Sequence, residues 1–383
     1  MKKIYLDNAA TTQVDKRVVK TMVPYFTEKY GNASSQHLIG QEAKRAMEEA
    51  RSIIARSINA SYDEIFFTSG GTEANNFVLK GLFFENKKTD KNHIITTKIE
   101  HDCVLNSCKW LETQGVRVTY LDVDEKGFVD PNEVKKAITP KTFVVSIIHG
   151  NNEIGTIQDI EAIGKICKEK NVYFHTDACQ SFTKTKLNVK KQNLDFVTLN
   201  AHKIHGPKGV GALYIKKNTK ITPLLHGGGH EKNLRSGTEN IPGIIGFAKS
   251  VKIASMFDVM RMNKLRDKLI IGILRIPGTK LNGATGNQRL CNNINICFGN
   301  IEGEAIGGYL DTYGISSSTG SACSSNTLEI SHVLKAIKCT DLEANTSIRL
   351  SISKFTTEKE INYTLAVMAK VVEKLRKISP IKI

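Results

Sequence analysis

The sequence predicts an α/β protein built on a largely parallel sheet, with a smaller α+β domain toward the C-terminus. From residue 35 to about residue 255, short apolar runs of strand length alternate with segments of helical period, the pattern left by strands joined through crossover helices. Beyond Ser255 the rhythm changes to a helical stretch, Met260 to Leu274, then a strand-like run, Asn292 to Phe298, and an amphipathic helix from Thr357.

In order along the chain, Leu38, Ala43, Ala46, Met47, Ala50, Ile53, Ile54 and Ile58 recur at three- and four-residue spacing with charges between them, which predicts a helix from about Ser35 to Ile58. Strand-like runs follow at Glu64 to Thr68, then a helix through Phe84, and further runs at His93 to Thr97, Val116 to Leu121, Thr142 to Ile148, Val172 to His175 and Phe196 to Leu199. A glycine-rich turn after the last of these leads to a second apolar strand ending near Tyr214.

Composition narrows the class. The 383 residues suffice for two domains, and no apolar run is long enough to span a membrane. Asp7 falls too early for a signal-peptide core, so the expected location is cytoplasmic. Eight cysteines sit singly at irregular spacing without a C-x-x-C pair, against both a zinc ribbon and a secreted disulfide framework. The formal charge of +16 comes mostly from lysines spread along the chain, which favours a solvated surface over a nucleic-acid site.

In open parallel sheets ligands lie beyond the carboxyl ends of the strands, so the residues just after each run are the candidates for a site. Lys203 follows the run Phe196, Val197, Leu199, where low-dielectric surroundings favour a neutral, nucleophilic amine able to form a Schiff base. Gly70-Gly71-Thr72 follows a strand and opens a helix, offering backbone N–H groups and a hydroxyl to a phosphate. Asp177 ends Val172-Tyr-Phe-His-Thr-Asp177; as a buried carboxylate it needs a partner, a protonated pyridine nitrogen or, with His175, a metal. His101 is a flat imidazole placed to stack and exchange protons, and Asn152 and Gln180 are amides placed to hydrogen-bond a ring oxygen. Arg349, in Ile348-Arg-Leu-Ser351, suits either bidentate grip of a carboxylate or an ion pair. Cys323 lies in the small polar run SSSTGSACSS, Ser316 to Ser325, typical of an exposed loop, which makes it the candidate nucleophile among the cysteines.

The motifs together resemble a known family. Tyr5-Leu-Asp-Asn-Ala-Ala-Thr-Thr12, Gly31-Asn-Ala-Ser-Ser-Gln-His37, Thr68-Ser-Gly-Gly-Thr-Glu-Ala-Asn-Asn76 and Glu100-His101 are followed by Asn151-Asn-Glu-Ile-Gly155, His175-Thr-Asp-Ala-Cys-Gln180 and Ala201-His-Lys-Ile-His-Gly-Pro-Lys-Gly209. Arg235-Ser-Gly-Thr-Glu-Asn240, Gly320-Ser-Ala-Cys323 and Arg349-Leu-Ser351 complete the series. In that order they resemble the pyridoxal-phosphate-dependent cysteine desulfurases of the NifS/IscS kind, within the class V aminotransferases.

That resemblance implies the fold type I architecture of aspartate aminotransferase, with a large cofactor-binding domain over residues 12–255 and a small domain formed by residues 1–11 and 256–383. It implies conversion of L-cysteine to L-alanine, with sulfur passing to Cys323 as a persulfide destined for iron–sulfur cluster assembly or another sulfur pathway. Lys203 would hold pyridoxal 5'-phosphate, Asp177 would pair its ring nitrogen, His101 would stack on the ring and Gln180 would contact the ring hydroxyl. Thr72, Gly71, Asn200 and His202 match phosphate contacts, while Thr238 matches a residue reaching the partner subunit's cofactor, which implies a homodimer. Asn152 and Arg349 match substrate-carboxylate positions, and Cys323, with His101 as its proton acceptor, matches the sulfur-receiving nucleophile. A sulfur-acceptor protein such as an iron–sulfur scaffold is the implied partner. The chain departs from the family at Asn200, where Ser or Thr is usual, and also at Ala33, His230 and Ser353-Lys354. It ends at Pro380-Ile-Lys-Ile383 without the extension by which IscS-type members dock a scaffold, and its cysteine loop resembles the long, mobile type.

Overall fold

The computed structural model describes residues 3–319 and 330–379. Its strands in chain order are β1 (Ile4–Tyr5), β2 (Ile65–Thr68), β3 (His93–Thr97), β4 (Arg117–Leu121), β5 (Thr142–Ser146), β6 (Tyr173–Asp177), β7 (Phe196–Asn200) and β8 (Gly211–Ile215). They continue as β9 (Thr279–Leu281), β10 (Asn293–Phe298), β11 (Ile315–Ser316) and β12 (Ser347–Ser351). Among the described residues, β2 to β8 form one sheet in the order β2-β8-β7-β6-β5-β3-β4. Strands β4, β3, β5, β6 and β7 are mutually parallel, and β8 alone runs against its neighbours β7 and β2.

Side-chain alternation explains why this sheet feeds apolar residues into both of its faces. Ile94, Val144 and Phe196 enter one apolar cluster with Phe77, Val104 and Leu111, whereas Ile95, Val145 and Val197 enter another with Ile54, Ile163 and Phe247. Helices Gly71–Asn86 and Asp102–Glu112 cover the first face; Leu38–Ser57, Ile160–Glu169 and Ile241–Lys252 cover the second. The periodicity read from Ser35 to Ile58 becomes the helix Leu38–Ser57, which begins where the His37 imidazole accepts from Gly40 N (3.2 Å) and buries Ala43, Met47, Ala50 and Ile54.

The reversal at β8 decides where Lys203 lies. Parallel neighbours require a long crossover, but an antiparallel partner lets the chain return at once. Residues 201–210 therefore form a compact connection at the carboxyl end of β7, closed by Gly206 N to Ala201 O (3.0 Å) and Ala201 N to Val210 O (3.3 Å). His205 (φ 65°) and Gly209 (φ 75°) take the left-handed conformations this turn needs.

After residue 255 the helix Met256–Leu274 and the final helix Glu358–Ile378, whose Thr357 and Glu360 form a capping box, pack on a small antiparallel sheet in the order β12-β10-β9. Leu6, Leu269, Ile296, Leu350 and Met368 belong to the apolar cluster there. The N-terminal segment joins this region: β1 pairs in parallel with β11, and Asp7 bridges to Ser351.

A buried ion pair fastens the first long helix to the sheet edge. Glu231 accepts from Arg51 Nη1 (2.6 Å) and Nη2 (2.8 Å) and from Phe67 N (2.8 Å), while Arg51 Nη1 also donates to Ile65 O (2.7 Å). Both side chains are almost wholly shielded, so truncating Glu231 leaves the buried guanidinium only the half-exposed Glu48 as ionic partner (3.2 Å) and Phe67 N without its acceptor. Glu231→Ala is expected to cost about 3–5 kcal/mol, read as a lower urea midpoint than the parent, with a smaller loss for Glu231→Gln.

Candidate active site

The carboxyl ends of β2, β3, β5, β6 and β7 open on one cavity of about 380 Å³. Its walls include Gly71, Thr72, His101, Asn152, Asp177, Gln180, Asn200, His202, Lys203 and Arg349, drawn from segments up to 278 residues apart in the chain (Gly71 to Arg349). Thr238, also singled out from the sequence, is exposed and does not line the cavity; Cys323 lies outside the described residues.

Lys203 Nζ donates to the carbonyls of Ala9 and Ala10, the latter at 2.8 Å. The same Ala9 carbonyl accepts from Gln180 Nε2 (2.8 Å), so the N-terminal segment seals one side of the cavity. Thr12 Oγ1 donates to His202 O (2.8 Å), and His202 Nδ1 lies 3.1 Å from Thr11 Oγ1. Burial, reinforced by the nearby charge of Lys203, pulls the His202 imidazole down to about 4, so it is neutral at pH 7 and offers a hydrogen bond rather than a charge.

Asp177 ends β6 and is buried; Oδ1 accepts from Cys179 N (2.8 Å) and Oδ2 from Asn75 Nδ2 (2.7 Å). His175, its partner in the metal reading, turns away into the sheet, with Nδ1 2.8 Å from Ser146 Oγ and Nε2 3.0 Å from Thr198 Oγ1. Facing Asp177, the helix Gly71–Asn86 begins at Gly70, whose φ of 155° suits glycine, without a side-chain cap from Thr72. A Cβ on Gly71 would fall 2.7 Å from Cys179 Sγ, so only glycine lets the helix start this close to β6. Asn200 ends β7 beside that start, and its buried Oδ1 has no hydrogen-bond partner among the described residues.

His101 is the N-cap of Asp102–Glu112, its Nδ1 accepting from Cys103 N at 3.2 Å. Arg349, in the middle of β12, is 2% exposed, with Nη2 3.0 Å from Asp7 Oδ1 and Nη1 donating to Asn152 O (3.2 Å). The ion pair that its fragment allowed is formed with Asp7, but it is buried rather than at the surface, and the guanidinium lies in the cavity wall. The turn-stabilising amide is Asn151, which accepts from Glu153 N and Ile154 N (both 2.9 Å), leaving Asn152 to line the cavity.

Asn75, Glu100, Cys103 and His332 also line the wall and have no role assigned from the sequence, although Asn75 and Glu100 lie within the quoted motifs. Each acquires its place from partners far along the chain, as when His332 Nε2 meets Glu100 O at 2.9 Å. A polar residue at the buried face of a predicted helix was the one available hint for Asn75.

Glu100 is a buried acid in that wall. Its Oε1 accepts from Thr97 Oγ1 (2.6 Å) and Ile148 N (2.9 Å), whereas Oε2 has no partner among the described residues. Burial, outweighing those two donors and aided by Asp177, pushes its carboxyl up to about 8 from an ordinary 4.5. Between those values the folded chain holds a proton that the unfolded chain has released, so stability falls as pH rises from about 4.5 to about 8. Glu100→Gln is expected to flatten that slope, gaining on the parent by a few kcal/mol (order of magnitude) at pH 8 relative to pH 5 in urea titrations.

Residues 4–364 match the family model for class V aminotransferases. A cysteine desulfurase IscS from Dictyoglomus turgidum is 50% identical, covering 100% of this chain and 97% of that protein. One from Methanosarcina thermophila is 49% identical, covering 99% and 94%. Of solved structures, a NifS-like protein superimposes with a TM-score of 0.91 at 40% identity over 98% of this chain and 100% of its own. SspA in complex with cysteine gives 0.83 at 37% identity over 93% and 100%. Full-length identity of this order, on the same fold, means that the chain belongs to the class V aminotransferases and, within them, to the pyridoxal-phosphate-dependent cysteine desulfurases.

Proposed function

We propose that the protein converts L-cysteine to L-alanine and passes the sulfur to Cys323. The observation that carries this reading is the convergence of Lys203, Asp177, His101 and Arg349 on one cavity. SspA, a structural neighbour, has been solved with cysteine bound.

The cavity fits pyridoxal 5'-phosphate. An amine, a carboxylate and a flat imidazole share it, a glycine opens the helix start at Gly71, and Asn200 can offer its Nδ2 to a phosphate while its buried Oδ1 is left for a donor such as water. When bound, the cofactor supplies an electron-withdrawing ring that weakens the substrate's Cα–H bond. Asp177 would hold the ring nitrogen and His101 would lie on the ring face. Gln180 would meet the ring hydroxyl, and Thr72, Gly71, Asn200 and His202 would receive the phosphate. With His202 neutral, that anchoring depends on N–H donors and the helix start more than on positive charge.

Arg349 and Asn152 would hold the substrate carboxylate. Arg349 is held in place by Asp7, so binding a carboxylate costs little further side-chain entropy. Lys203 would take the Cα proton as general base and return a proton at Cβ as alanine forms. The Cβ–S bond breaks with its electrons left on carbon, an S–S bond forms at the Cys323 thiolate, whose proton is lost to water before the attack, and His101 would favour that thiolate as a hydrogen-bond donor. Lys203→Ala is expected to abolish alanine release and the cofactor's visible band shift with L-cysteine, while Cys323→Ala keeps the band shift and loses at least about a hundredfold in alanine formation. Alanine formation equal to the parent's in Cys323→Ala would sink the reading.

The assembly proposed is a homodimer. Val19, Val23, Phe26, Tyr30, Leu38 and Ile39 are exposed along the helices Lys16–Met22 and Pro24–Thr27 and the start of Leu38–Ser57, an apolar surface that a second copy would cover. Thr238, exposed and outside its own chain's cavity, supports a contribution to the partner's site. The sulfur acceptor proposed is a protein such as an iron–sulfur scaffold, identifiable by following labelled sulfur from cysteine. Phe26→Asp combined with Leu38→Asp is expected to halve the mass measured by light scattering on a sizing column; a parent protein already of monomer mass would refute the dimer.

A further inference from the structure

We infer that Cys103 is a positioning residue of this active site, the last member of a hydrogen-bonded strap that ties Asp177 to His101 and fixes which His101 nitrogen carries the proton. The strap is built from side chains of three elements. Asn75, fully buried on Gly71–Asn86, donates from Nδ2 to Asp177 Oδ2 at 2.7 Å and to Cys103 Sγ at 3.1 Å. Cys103 Sγ in turn lies 3.1 Å from His101 Nδ1.

The directions of these bonds follow from the donor inventory. A carboxylate oxygen accepts, so the Asn75 amide must face Asp177 with its nitrogen, and the second N–H of that nitrogen occupies the accepting side of the sulfur. The thiol proton is thereby turned toward His101. At His101, Nδ1 also accepts the backbone N–H of Cys103 at 3.2 Å, as an N-cap must. Two donors aimed at one nitrogen leave it no room for a proton of its own, and the neutral ring carries its proton on Nε2. The backbone bond is long and shared; the thiol supplies the second donor and a side-chain contact that opposes turning of the ring about its cap.

Cys103 differs in setting from the other described cysteines. It is half-buried and lines the cavity, whereas Cys108, Cys167, Cys291, Cys297 and Cys339 are buried away from it, and Cys179, also in the wall, is buried behind Asp177. The strap links the residue proposed to hold the cofactor ring at one end to the residue proposed to lie on its face. It thereby sets the tautomer in which His101 meets the reaction, and this inference rests on that reading of His101.

The test compares Cys103→Ala and Cys103→Ser with the parent, using nitrogen NMR of histidine-labelled protein with and without cofactor, and steady-state kinetics on L-cysteine. His101→Gln identifies the His101 signal by its loss. The parent and Cys103→Ser are expected to show the Nε2–H form alone, and Cys103→Ala a mixture of tautomers. Cys103→Ala is expected to lose about five- to tenfold in kcat with KM within about twofold, and Cys103→Ser to recover most of it. An alanine variant that keeps both the parent tautomer and the parent kcat overturns the inference, as does a serine variant no better than alanine. The tautomer is read without turnover. A parent protein that makes no alanine therefore counts against the desulfurase reading, and the strap is judged separately.

Discussion

Strands buried on both faces can enclose a polar group only as a neutral, hydrogen-bonded one, so groups that must meet a ligand sit at or past their ends, and the whole site follows from that constraint. In β3, β5, β6 and β7 nearly every side chain is enclosed by helices, so alternation serves packing alone. Groups with chemistry collect where the strands stop, and because these strands run in one direction they stop on the same side. His101, Asn152, Asp177 and Lys203 are neighbours for this reason. The single reversed strand, β8, completes the arrangement by turning the chain back immediately after Lys203.

Convergence alone would leave a wide and wet cleft. The N-terminal segment closes it with a chain of hydrogen bonds: Ala9 and Ala10 to Lys203, Ala9 to Gln180, Thr12 to the His202 carbonyl, and Asn8 Nδ2 to Ser351 O at 2.7 Å. Asp7 then meets Arg349 from the small sheet. A few residues near the start of the chain thus join the large sheet to β12, and the cavity wall is shared between them. Each bond contributes about 1 kcal/mol net; their larger effect is to exclude water, which strengthens every electrostatic contact inside.

The buried titratable groups show the cost of that enclosure. His93, His149 and His175 are all pulled down to about 4, principally by burial, and each is held as a neutral ring between hydroxyls or beside one. Glu100 is pushed the other way for the same reason. These groups are kept neutral, whereas the buried Arg51 and Glu231 stay charged because each has the other as partner.

Strand and helix placement was legible because periodicity is local. The runs at His93 to Thr97 and Asn292 to Phe298 matched the observed strands to within a residue, and the Lys203 hairpin followed from one glycine-rich turn. The residues placed after strands were legible for the same reason: an apolar run that stops abruptly at a polar residue names its own end. Asn75 and Cys103 were not. Nothing adjacent to Asn75 reveals that Asp177, 102 residues away, will take its amide, and Cys103 reads as one more buried thiol until His101 turns back to cap the helix it sits on. The sequence by itself determined the elements, the family and the inventory of reactive groups, since these depend on near neighbours and on order along the chain. Only the tertiary structure decided which groups share hydrogen bonds, which carboxyl stays protonated and which nitrogen of a histidine accepts. Those properties depend on burial and on directional contacts between elements that meet only when the sheet is complete.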